Sequence, residues 1–239
     1  MEPFFDSYKP NRVIPPEGLD RLLALGWYRM HQHIFTCSHV NLNGIYQVHW
    51  LRFAVDGIQN NQTHKRIRKR NANFTFAIED FDPNSVRLDH QILHARYRAS
   101  IDFDGANSIE ECLLGDDYAG LNIFHTKCIS IFHENRLIAG GYFDVGRESA
   151  ASILHFFDPS YKKHSLGKFL ILLTLDYLRQ YGFKWYYPGY IVEGNPKMDY
   201  KLFVGEHAEY FVPDTIRWEN FEPALISKPA KSETKPIQI

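Results

Sequence analysis

Residue types that favour phosphate binding gather in one short loop of the sequence. Lys162 and Lys163 precede Ser165-Leu166-Gly167, after which a long apolar segment begins. A helix N-terminus exposes unpaired backbone N–H groups and the positive end of the helix dipole, and both favour anions. We expect Ser165 to cap this helix and Gly167 to let a ligand approach the backbone. The pattern fits a phosphate site, and it equally fits an ordinary helix start beside solvated lysines.

Apolar segments on both sides of the loop predict the elements that must position it. The alternation before Asp158-Pro159 predicts a strand, and the all-round apolar segment after the loop predicts a buried helix followed by a second strand. Turn residues further upstream predict hairpin-linked strands before the loop. The predicted elements are strands at 122–132, 136–145 and 149–157, a helix at 165–180 and a strand at 184–187.

Several motifs recur at characteristic spacing in the segment that starts at the loop. In this region the chain resembles the C-terminal domain of arginyl-tRNA–protein transferases and their bacterial leucyl relatives, together the N-end rule aminoacyltransferases. The motifs that carry the resemblance are Phe157-Asp158-Pro159, Ser165-Leu166-Gly167, Tyr187 with Gly189-Tyr190, and Lys197-Met198 with Tyr200-Lys201.

The resemblance implies an α+β fold with a GNAT-like antiparallel or mixed sheet, packed helices and a smaller N-terminal α/β subdomain. The expected division is an N-terminal region at 1–81, a GNAT-like transferase domain at 82–221 and a disordered tail at 222–239. Prolines among Lys, Ser and Glu predict that tail.

The N-terminal region resembles the same family, but its cysteine cluster is missing. Gly26-Trp27 matches the family's first element, whereas a single cysteine, Cys37, stands where relatives carry several. A site built from Cys37, His39, His31 and His33 is conceivable, and a strand with surface histidines is the more ordinary interpretation. We therefore expect neither a metal nor another cofactor.

Five basic residues occupy six positions between Lys65 and Arg70, at the end of a Thr63–Asn71 segment that also matches the family. The formal net charge is −1, so the run is a local asymmetry and the whole chain is not a polycation. Such a run can be a solvated helix end. With the resemblance, it predicts a patch that contacts the phosphates of a tRNA acceptor stem.

Composition gives expectations for the cellular compartment, membrane association and oligomeric state of the protein. Three widely spaced cysteines predict a reduced, cytoplasmic compartment without a disulfide framework. No apolar run approaches the ~20 residues that span a bilayer, and residues 1–16 are too polar for a secretory signal. We expect no membrane association. The oligomeric state stays open, with a monomer as the expectation.

The resemblance implies transfer of an amino acid, arginine or leucine, from charged tRNA to the N-terminal amine of a protein or peptide. The aminoacyl-tRNA is then a co-substrate and no cofactor is needed. On the positions that match the family, the implied catalytic residues are Asp158, Tyr187, Tyr190 and Lys197. The implied substrate- and tRNA-binding residues are Lys65, Arg66, Arg70, Lys163, Ser165, Leu166, Gly167, Gly189, Tyr200 and Lys201.

Two other functions remain open at this point. A CoA-dependent N-acyltransferase of the GNAT type would use the same helix N-terminus for pyrophosphate and would not need the basic run at 65–70. A non-catalytic tRNA-binding relative would bind tRNA without transferring the amino acid.

Overall fold

A computed structural model describes residues 3–42, 44–102, 105–115 and 121–226 of the chain. The strands are β1 (Phe5–Tyr8), β2 (Tyr28–Met30), β3 (His33–Cys37), β4 (His39–Asn41), β5 (Ile45–Ala54), β6 (Thr75–Asp80), β7 (Thr126–His133), β8 (Arg136–Val145), β9 (Ser149–Phe157), β10 (Trp185–Val192), β11 (Ala208–Val212) and β12 (Arg217–Asn220). The α-helices are α1 (Pro16–Ala24), α2 (Gln62–Arg70), α3 (Leu88–Arg98), α4 (Ile109–Leu114) and α5 (Leu166–Gln180). The longer 3₁₀ helices are Pro159–His164 and Pro196–Val204.

A mixed sheet forms the centre of the molecule, with strand order β12-β11-β5-β10-β9-β8-β7-β6 and β4 attached to β5. All of its pairings are antiparallel except that of β9 with β10, which α5 connects. A smaller three-stranded sheet, β1-β3-β2, lies in the N-terminal region. The predicted α+β fold class, with a mixed sheet and packed helices, is confirmed.

The hairpin-linked strands predicted before the basic loop are confirmed as β7, β8 and β9. Glu134 and Asn135 connect β7 to β8 with φ angles of 50° and 64°. A two-residue turn with positive φ at both positions matches the twist of the strands it joins, so this is a tight type I′-like hairpin.

Helices α3 and α5 cover opposite faces of the sheet. On β8, the Tyr142 ring lies edge-on to His90 of α3, whereas the ring of the next residue, Phe143, lies edge-on to Tyr177 of α5. Successive side chains of a strand point to opposite faces, so the two helices sandwich β8 and β9. The all-round apolarity predicted for α5 fits this position, because nine of its fifteen residues are buried.

Two parts of the chain differ from the sequence prediction. The alternation of Arg29 and the histidines 31 and 33 with Tyr28, Met30 and Ile34 predicts one strand over 27–35. The structure interrupts it at His31, whose φ of 56° begins a turn, and β2 and β3 form a hairpin around that turn. The chain after Lys201, for which no pattern was evident, forms the hairpin β11–β12, and Phe221 packs behind it as a buried residue. Of the predicted tail, residues 222–226 are described and 227–239 lie outside the described residues.

The predicted boundary at residue 81 does not coincide with a break in the large sheet. Strands β5 and β6 precede that position, and β5 lies between β10 and β11. The division into an N-terminal and a C-terminal domain stays a prediction. Within the described parts of the chain, no helix has the length and apolarity needed to cross a membrane.

A buried charge pair connects the N-terminal hairpin to the large sheet. Arg29 donates through Nη1 to Asp144 Oδ1 over 2.8 Å and to Thr126 Oγ1 over 2.9 Å, and through Nη2 to the Leu113 carbonyl. Burial raises the pKa of the Asp144 carboxyl, and the nearby Arg29 charge and the Thr126 hydroxyl oppose that rise. Because both side chains are almost fully buried, removing either charge leaves the other without compensation.

Replacing Asp144 by Asn should lower the free energy of unfolding by about 3–5 kcal/mol, since the Arg29 guanidinium stays buried without its counter-charge. Urea denaturation monitored by circular dichroism measures the change. Asp80→Asn is the matched control, because Asp80 pairs with Lys127 at an exposed edge and should cost less than about 1 kcal/mol. Equal losses of unfolding free energy in the two variants would show that the buried Arg29–Asp144 pair contributes no more to stability than an exposed pair.

Candidate active site

The strands β9 and β10 separate soon after they begin to pair. Their parallel register covers only Ser149–Ala151 opposite Trp185–Tyr187. On the other side of β10, the pairing with β5 shifts between Tyr186 and Gly189, which marks a bulge. Pro188 within it has no N–H for a ladder, and Gly189 takes a φ of 90°. The bulge therefore turns β10 away from β9 and leaves a gap in the sheet.

A cavity of about 360 Å³ fills this gap. Its lining comes from β9 and β10 and from both faces of the sheet, with Tyr97 and Arg98 of α3 and Ile171 of α5. Tyr28 and Trp50, stacked with ring centroids 3.7 Å apart, close the side towards the N-terminal hairpin. A concave, mostly apolar and aromatic site with a few polar groups is typical of small-molecule binding.

Lys201 is the most unusual polar group in the lining. Its side chain is 9% exposed, and its Nζ donates to the Tyr190 carbonyl oxygen over 2.5 Å. The rings of Tyr190 and Tyr200 lie 5.4 and 5.7 Å from this nitrogen. Burial lowers the pKa of Lys201 to about 8. About a tenth of the Lys201 population is therefore uncharged at pH 7, far more than for a lysine of ordinary pKa.

The strand β9 contributes two further polar side chains to the cavity wall. Ser152 and Tyr186 share a hydrogen bond of 2.7 Å across the last paired residues before the gap. Beyond them, His155 Nε2 is buried without a hydrogen-bond partner in the described part of the chain. Burial and then the charge of Lys201 lower the pKa of His155 to about 4, so its imidazole is neutral at physiological pH.

The charged lining of the cavity is basic. Of the described residues that line it, none is Asp or Glu, whereas Arg29, Arg98 and Lys201 are all present. The Arg29 charge is compensated by Asp144. Among the described lining residues, the site therefore offers a basic side chain, Lys201, and apolar surface to a ligand.

The basic loop (residues 159–164) is a 3₁₀ helix that leads into α5, as the predicted strand–loop–helix order requires. The prediction that the Ser165 side chain caps α5 is wrong. Ser165 occupies the N-cap position in a left-handed conformation, with φ 55° and ψ 44°, and its side chain makes no capping hydrogen bond. Ser165 ends the 3₁₀ helix and begins α5, and a left-handed residue is a common way for a helix to end.

The predicted basic run lies on α2, whose end contacts the basic loop. Asn71 donates through Nδ2 to the His164 carbonyl, its Oδ1 lies 3.0 Å from His164 Nδ1, and Arg70 donates to the Lys163 carbonyl over 2.5 Å. Within the described residues, the exposed cations here form no carboxylate pair. We call them the basic patch, which consists of Lys65, Arg66, Lys69, Arg70, Lys162 and Lys163.

Aromatic side chains connect the basic patch to the cavity. The Phe157 ring lies next to Gly167 in the first turn of α5, and it packs against Tyr97 of the cavity lining with ring centroids 5.0 Å apart. On the other side, Lys168 Nζ lies 5.1 Å from the Phe203 ring, in the same 3₁₀ helix as Lys201. The start of α5 is therefore linked through Phe157 and Tyr97 to the cavity, and through Lys168 and Phe203 to the 3₁₀ helix that carries Lys201.

The predicted site residues separate into two groups. Tyr190, Gly189, Tyr200 and Lys201 line the cavity. Lys65, Arg66, Arg70 and Lys163 belong to the basic patch, with Ser165, Leu166 and Gly167 at the start of α5 beside it.

Three of the four predicted catalytic residues lie outside the cavity lining. Asp158 is 2% exposed and accepts hydrogen bonds from Ser160, Arg96 and Arg136, so it organises the loop. Tyr187 is buried in the core, edge-on to the Trp218 ring. Their predicted catalytic roles, which the structure does not support, stay untested.

Lys197 and Lys201, four residues apart, do not share one exposed face, which is the ordinary alternative to a functional role that their spacing leaves open. Lys197 is exposed and lies 3.2 Å from Asp102, whereas Lys201 is buried in the cavity. The 3₁₀ helix explains the difference, because at three residues per turn a spacing of four does not bring side chains to one face.

The conceivable metal ligands do not meet. His31 Nδ1 lies 2.6 Å from the Glu111 carbonyl and His39 Nδ1 lies 2.8 Å from Ser38, so both are engaged elsewhere. Among the described residues no group of three or more His, Cys, Asp or Glu side chains is arranged to hold a metal ion. The expectation that the chain needs no cofactor stays a prediction.

Sequence reasoning missed Ser152, His155, Tyr186 and Arg98. The first two lie in an alternating strand pattern whose inward positions looked like ordinary core. A spacing of three places these two side chains on opposite faces of a regular strand, so the sequence pattern did not group them. The register shift between β8 and β9, which skips Ile153, brings both to the cavity wall.

Replacing Lys201 by Met should change how stability depends on pH. The folded pKa lies near 8 and the unfolded value near 10.5, so burying the charged lysine costs stability below pH 8, and the cost vanishes as pH rises to 10.5. Between pH 8 and 10 the free energy of unfolding of the original chain, measured with urea, should rise by about 2 kcal/mol relative to that of Lys201→Met. Lys184→Met, at an exposed site, should give no such trend. A pH-independent difference would mean that Lys201 titrates normally.

Comparison with known proteins gives several relatives that share one name. The chain is 28% identical over 172 residues to the aspartate/glutamate leucyltransferase of Leptospira interrogans, an alignment covering 70% of this chain and 62% of the relative. It is 28% identical over 192 residues to the enzyme of that name from Aeromonas hydrophila, covering 79% and 76%. The chain thus spans less than two thirds of the length of the Leptospira relative.

Solved structures give more distant matches. The L-PGS structure from Bacillus licheniformis superposes with a TM-score of 0.41 at 12% identity, covering 60% of this chain and 48% of that one. The ribosomal-protein-S18-alanine N-acetyltransferase from Escherichia coli gives a TM-score of 0.31 at 16% identity, covering 44% and 61%. A family model described as "Arginine-tRNA-protein transferase, C terminus" matches residues 60–207, from the start of α2 to the start of β11 and across the basic patch and most of the cavity lining. The chain therefore belongs to the arginine-tRNA-protein transferase C-terminal family.

Proposed function

We propose that the protein transfers an amino acid from charged tRNA to the N-terminal amine of a protein or peptide. The observation that carries this proposal is the direct connection between the basic patch and the cavity through the start of α5. A transferase of this kind must hold a polyanionic tRNA end and place its reactive ester in a site sheltered from water. Family membership, through the match over residues 60–207, supports the same activity.

The basic patch would bind the tRNA acceptor end through its phosphates. Lysine and arginine contacts to phosphates position a nucleic acid without reading its sequence. Exposed cations without carboxylate partners are suited to this, because no existing ion pair has to be broken. Free first-turn amides of α5 add donors for one phosphate next to the cavity.

The cavity would then receive the aminoacyl group, and its chemistry favours an uncharged donor such as leucine over arginine. An arginyl side chain would bring a guanidinium close to Lys201, in a lining whose described residues include no carboxylate. Burying a charge beside a like charge costs several kcal/mol where no counter-ion compensates it. Apolar side chains such as Ile153, Leu154 and Met198 suit leucine. The name of the relatives, aspartate/glutamate leucyltransferase, agrees with this choice.

The same charge balance favours an acceptor whose first residue is Asp or Glu. An acidic side chain entering the cavity would meet no carboxylate among the described lining residues, and the name of the relatives again agrees. Because the ester of the charged tRNA is already activated, the transfer step depends mainly on positioning. The acceptor amine nitrogen must lie within about 3–3.5 Å of the ester carbonyl carbon. We place the reaction in the cytoplasm, where charged tRNA is available, and the oligomeric state is left open.

A transfer assay with purified protein tests the proposal directly. The protein is incubated with leucyl-, arginyl-, methionyl- or phenylalanyl-tRNA and with peptides that differ only in beginning with Asp, Asn, Glu or Gln. Mass spectrometry should detect addition of one leucine, at least roughly tenfold faster on Asp than on its isosteric control Asn, because the amide lacks the charge that the lining favours.

Other outcomes of this assay identify the alternatives. Transfer of arginine in place of leucine would refute the donor assignment and keep the transferase. Binding of tRNA without transfer from any donor would identify a non-catalytic relative. Calorimetric binding of acetyl-CoA without binding of tRNA would identify a CoA-dependent acyltransferase.

Neutralising two residues of the basic patch should weaken tRNA binding through its salt dependence. For Arg66→Ala with Lys69→Ala, the slope of log K against log salt should fall by about 1.4–1.8, or roughly 0.7–0.9 per lost phosphate contact. Filter binding between low and moderate salt measures this slope. The control is Arg147→Ala with Lys184→Ala, which removes two exposed cations already paired with Glu17 and Glu148. An unchanged slope in the first variant would exclude the basic patch from the tRNA interface.

A further inference from the structure

Lys201 is held by a backbone carbonyl instead of a carboxylate. Its Nζ donates to the Tyr190 oxygen, and among the described residues it forms no ion pair. A carboxylate would keep the lysine protonated, whereas a carbonyl accepts a hydrogen bond from an ammonium group and from a neutral amine alike. The contact therefore fixes the position of Nζ without fixing its charge.

The groups that surround Lys201 also supply no counter-charge. On β9 it faces His155, whose imidazole is neutral. Burial and then the charge of Lys201 lower the pKa of this histidine. Asp199, two residues earlier, is a partly buried carboxyl that makes no ion pair with it in the described structure, and burial raises its pKa. The other titratable groups among the described lining residues are Tyr186 and Tyr190 of β10, Tyr200 of the 3₁₀ helix, Tyr97, Arg98 and His94 of α3, and Tyr28 and Arg29 of β2.

The bulge in β10 leaves the surroundings of Nζ open to a ligand. A Cβ atom on Gly189 would lie only 3.9 Å from Nζ, so the missing side chain leaves space where the strands separate. One hydrogen on Nζ is directed to Tyr190. In the neutral amine, the lone pair is then available on a side of the nitrogen that can face the cavity.

We propose that Lys201 is the acid–base catalytic residue of the aminoacyl transfer, an assignment that rests on the proposed function. Neutral Nζ removes a proton from the acceptor α-amine as its nitrogen bonds to the ester carbonyl carbon. The resulting ammonium gives that proton to the ribose oxygen as the ester C–O bond breaks. Lys201 returns to its neutral form, and no cofactor is consumed.

The acidity of Lys201 suits this exchange. With a pKa of about 8 it lies close to the usual value for an α-amino group, about 7.7–8.0. A residue whose pKa matches that of its reaction partner can take up and return the proton without a large barrier. The ideal pKa lies near the operating pH.

Single-turnover transfer at saturating charged tRNA, measured from pH 6 to 9, tests this role in four proteins: the original chain, Lys201→Met, Lys201→Arg and the control Lys184→Met. In the original chain and in the control, the logarithm of the rate should rise with a slope of two at low pH, because both the acceptor amine and Lys201 must be neutral. Lys201→Met should lose roughly 100-fold or more and show a slope of one. Lys201→Arg should be as slow as Lys201→Met, since a guanidinium keeps its proton.

Three results would overturn the assignment. Activity of Lys201→Arg within tenfold of the original chain would show that a fixed positive charge is what the reaction needs. A slope of one in the original chain would show that Lys201 does not titrate in the reaction. A loss of tRNA affinity in Lys201→Met as large as its loss in rate would make Lys201 a binding residue.

A further variant guards against misfolding. Lys201→Ala should be rescued by added ethylamine and other small primary amines, with rates that rise with the basicity of the amine, which only a folded site can show. Rescue that ignores amine basicity would count against proton transfer. If the original chain transferred nothing from any donor, the proposed function itself would fail; a defect confined to the pH profile would refute only the role of Lys201.

Discussion

Backbone pairing between β9 and β10 ends after three residue pairs, and every feature of the site depends on that interruption. Each strand stays in place because its other edge remains paired, β9 with β8 and β10 with β5. The two inner edges are left with polar groups that need partners from elsewhere. Lys201 supplies one of them at Tyr190. A substrate that enters the gap can supply others, so the gap combines a rigid frame with unsatisfied binding capacity.

Helix α5 brings together two surfaces of opposite character. Its first turn adjoins the exposed cations of the basic patch, and Ile171, about one turn later, lines the apolar cavity. The spacing is fixed by helix geometry, about 1.5 Å per residue. Arg68 of α2 pairs with Asp176 further along α5, which keeps the two helices in register. A tRNA end bound at the patch would therefore meet the cavity at a defined distance.

Sequence patterns predicted the strands and helices around the basic loop because each is long, strongly periodic and ended by clear turn residues. They failed where tertiary contacts decide. Nothing local indicates that His31 adopts a left-handed conformation, or that the chain after Lys201 forms a hairpin against β5. The motif at 197–201 includes residues that line the candidate site, but its pattern could not reveal that Lys201 is buried and Lys197 exposed. That division depends on the 3₁₀ geometry and on the bulge at Pro188. Asp158 shows the reverse case, a motif residue that holds a loop through two arginines.

The position of β5 in the sheet also affects how the protein is made. This strand is synthesised early, yet its neighbours β10 and β11 come from the last quarter of the chain. Until they leave the ribosome, the nascent chain exposes a strand with Trp50, Leu51 and Phe53, all buried in the finished protein. Such high contact order slows folding and lengthens the time during which an unpaired apolar strand can aggregate. We expect the newly made chain to depend on chaperones until its C-terminal hairpin has docked.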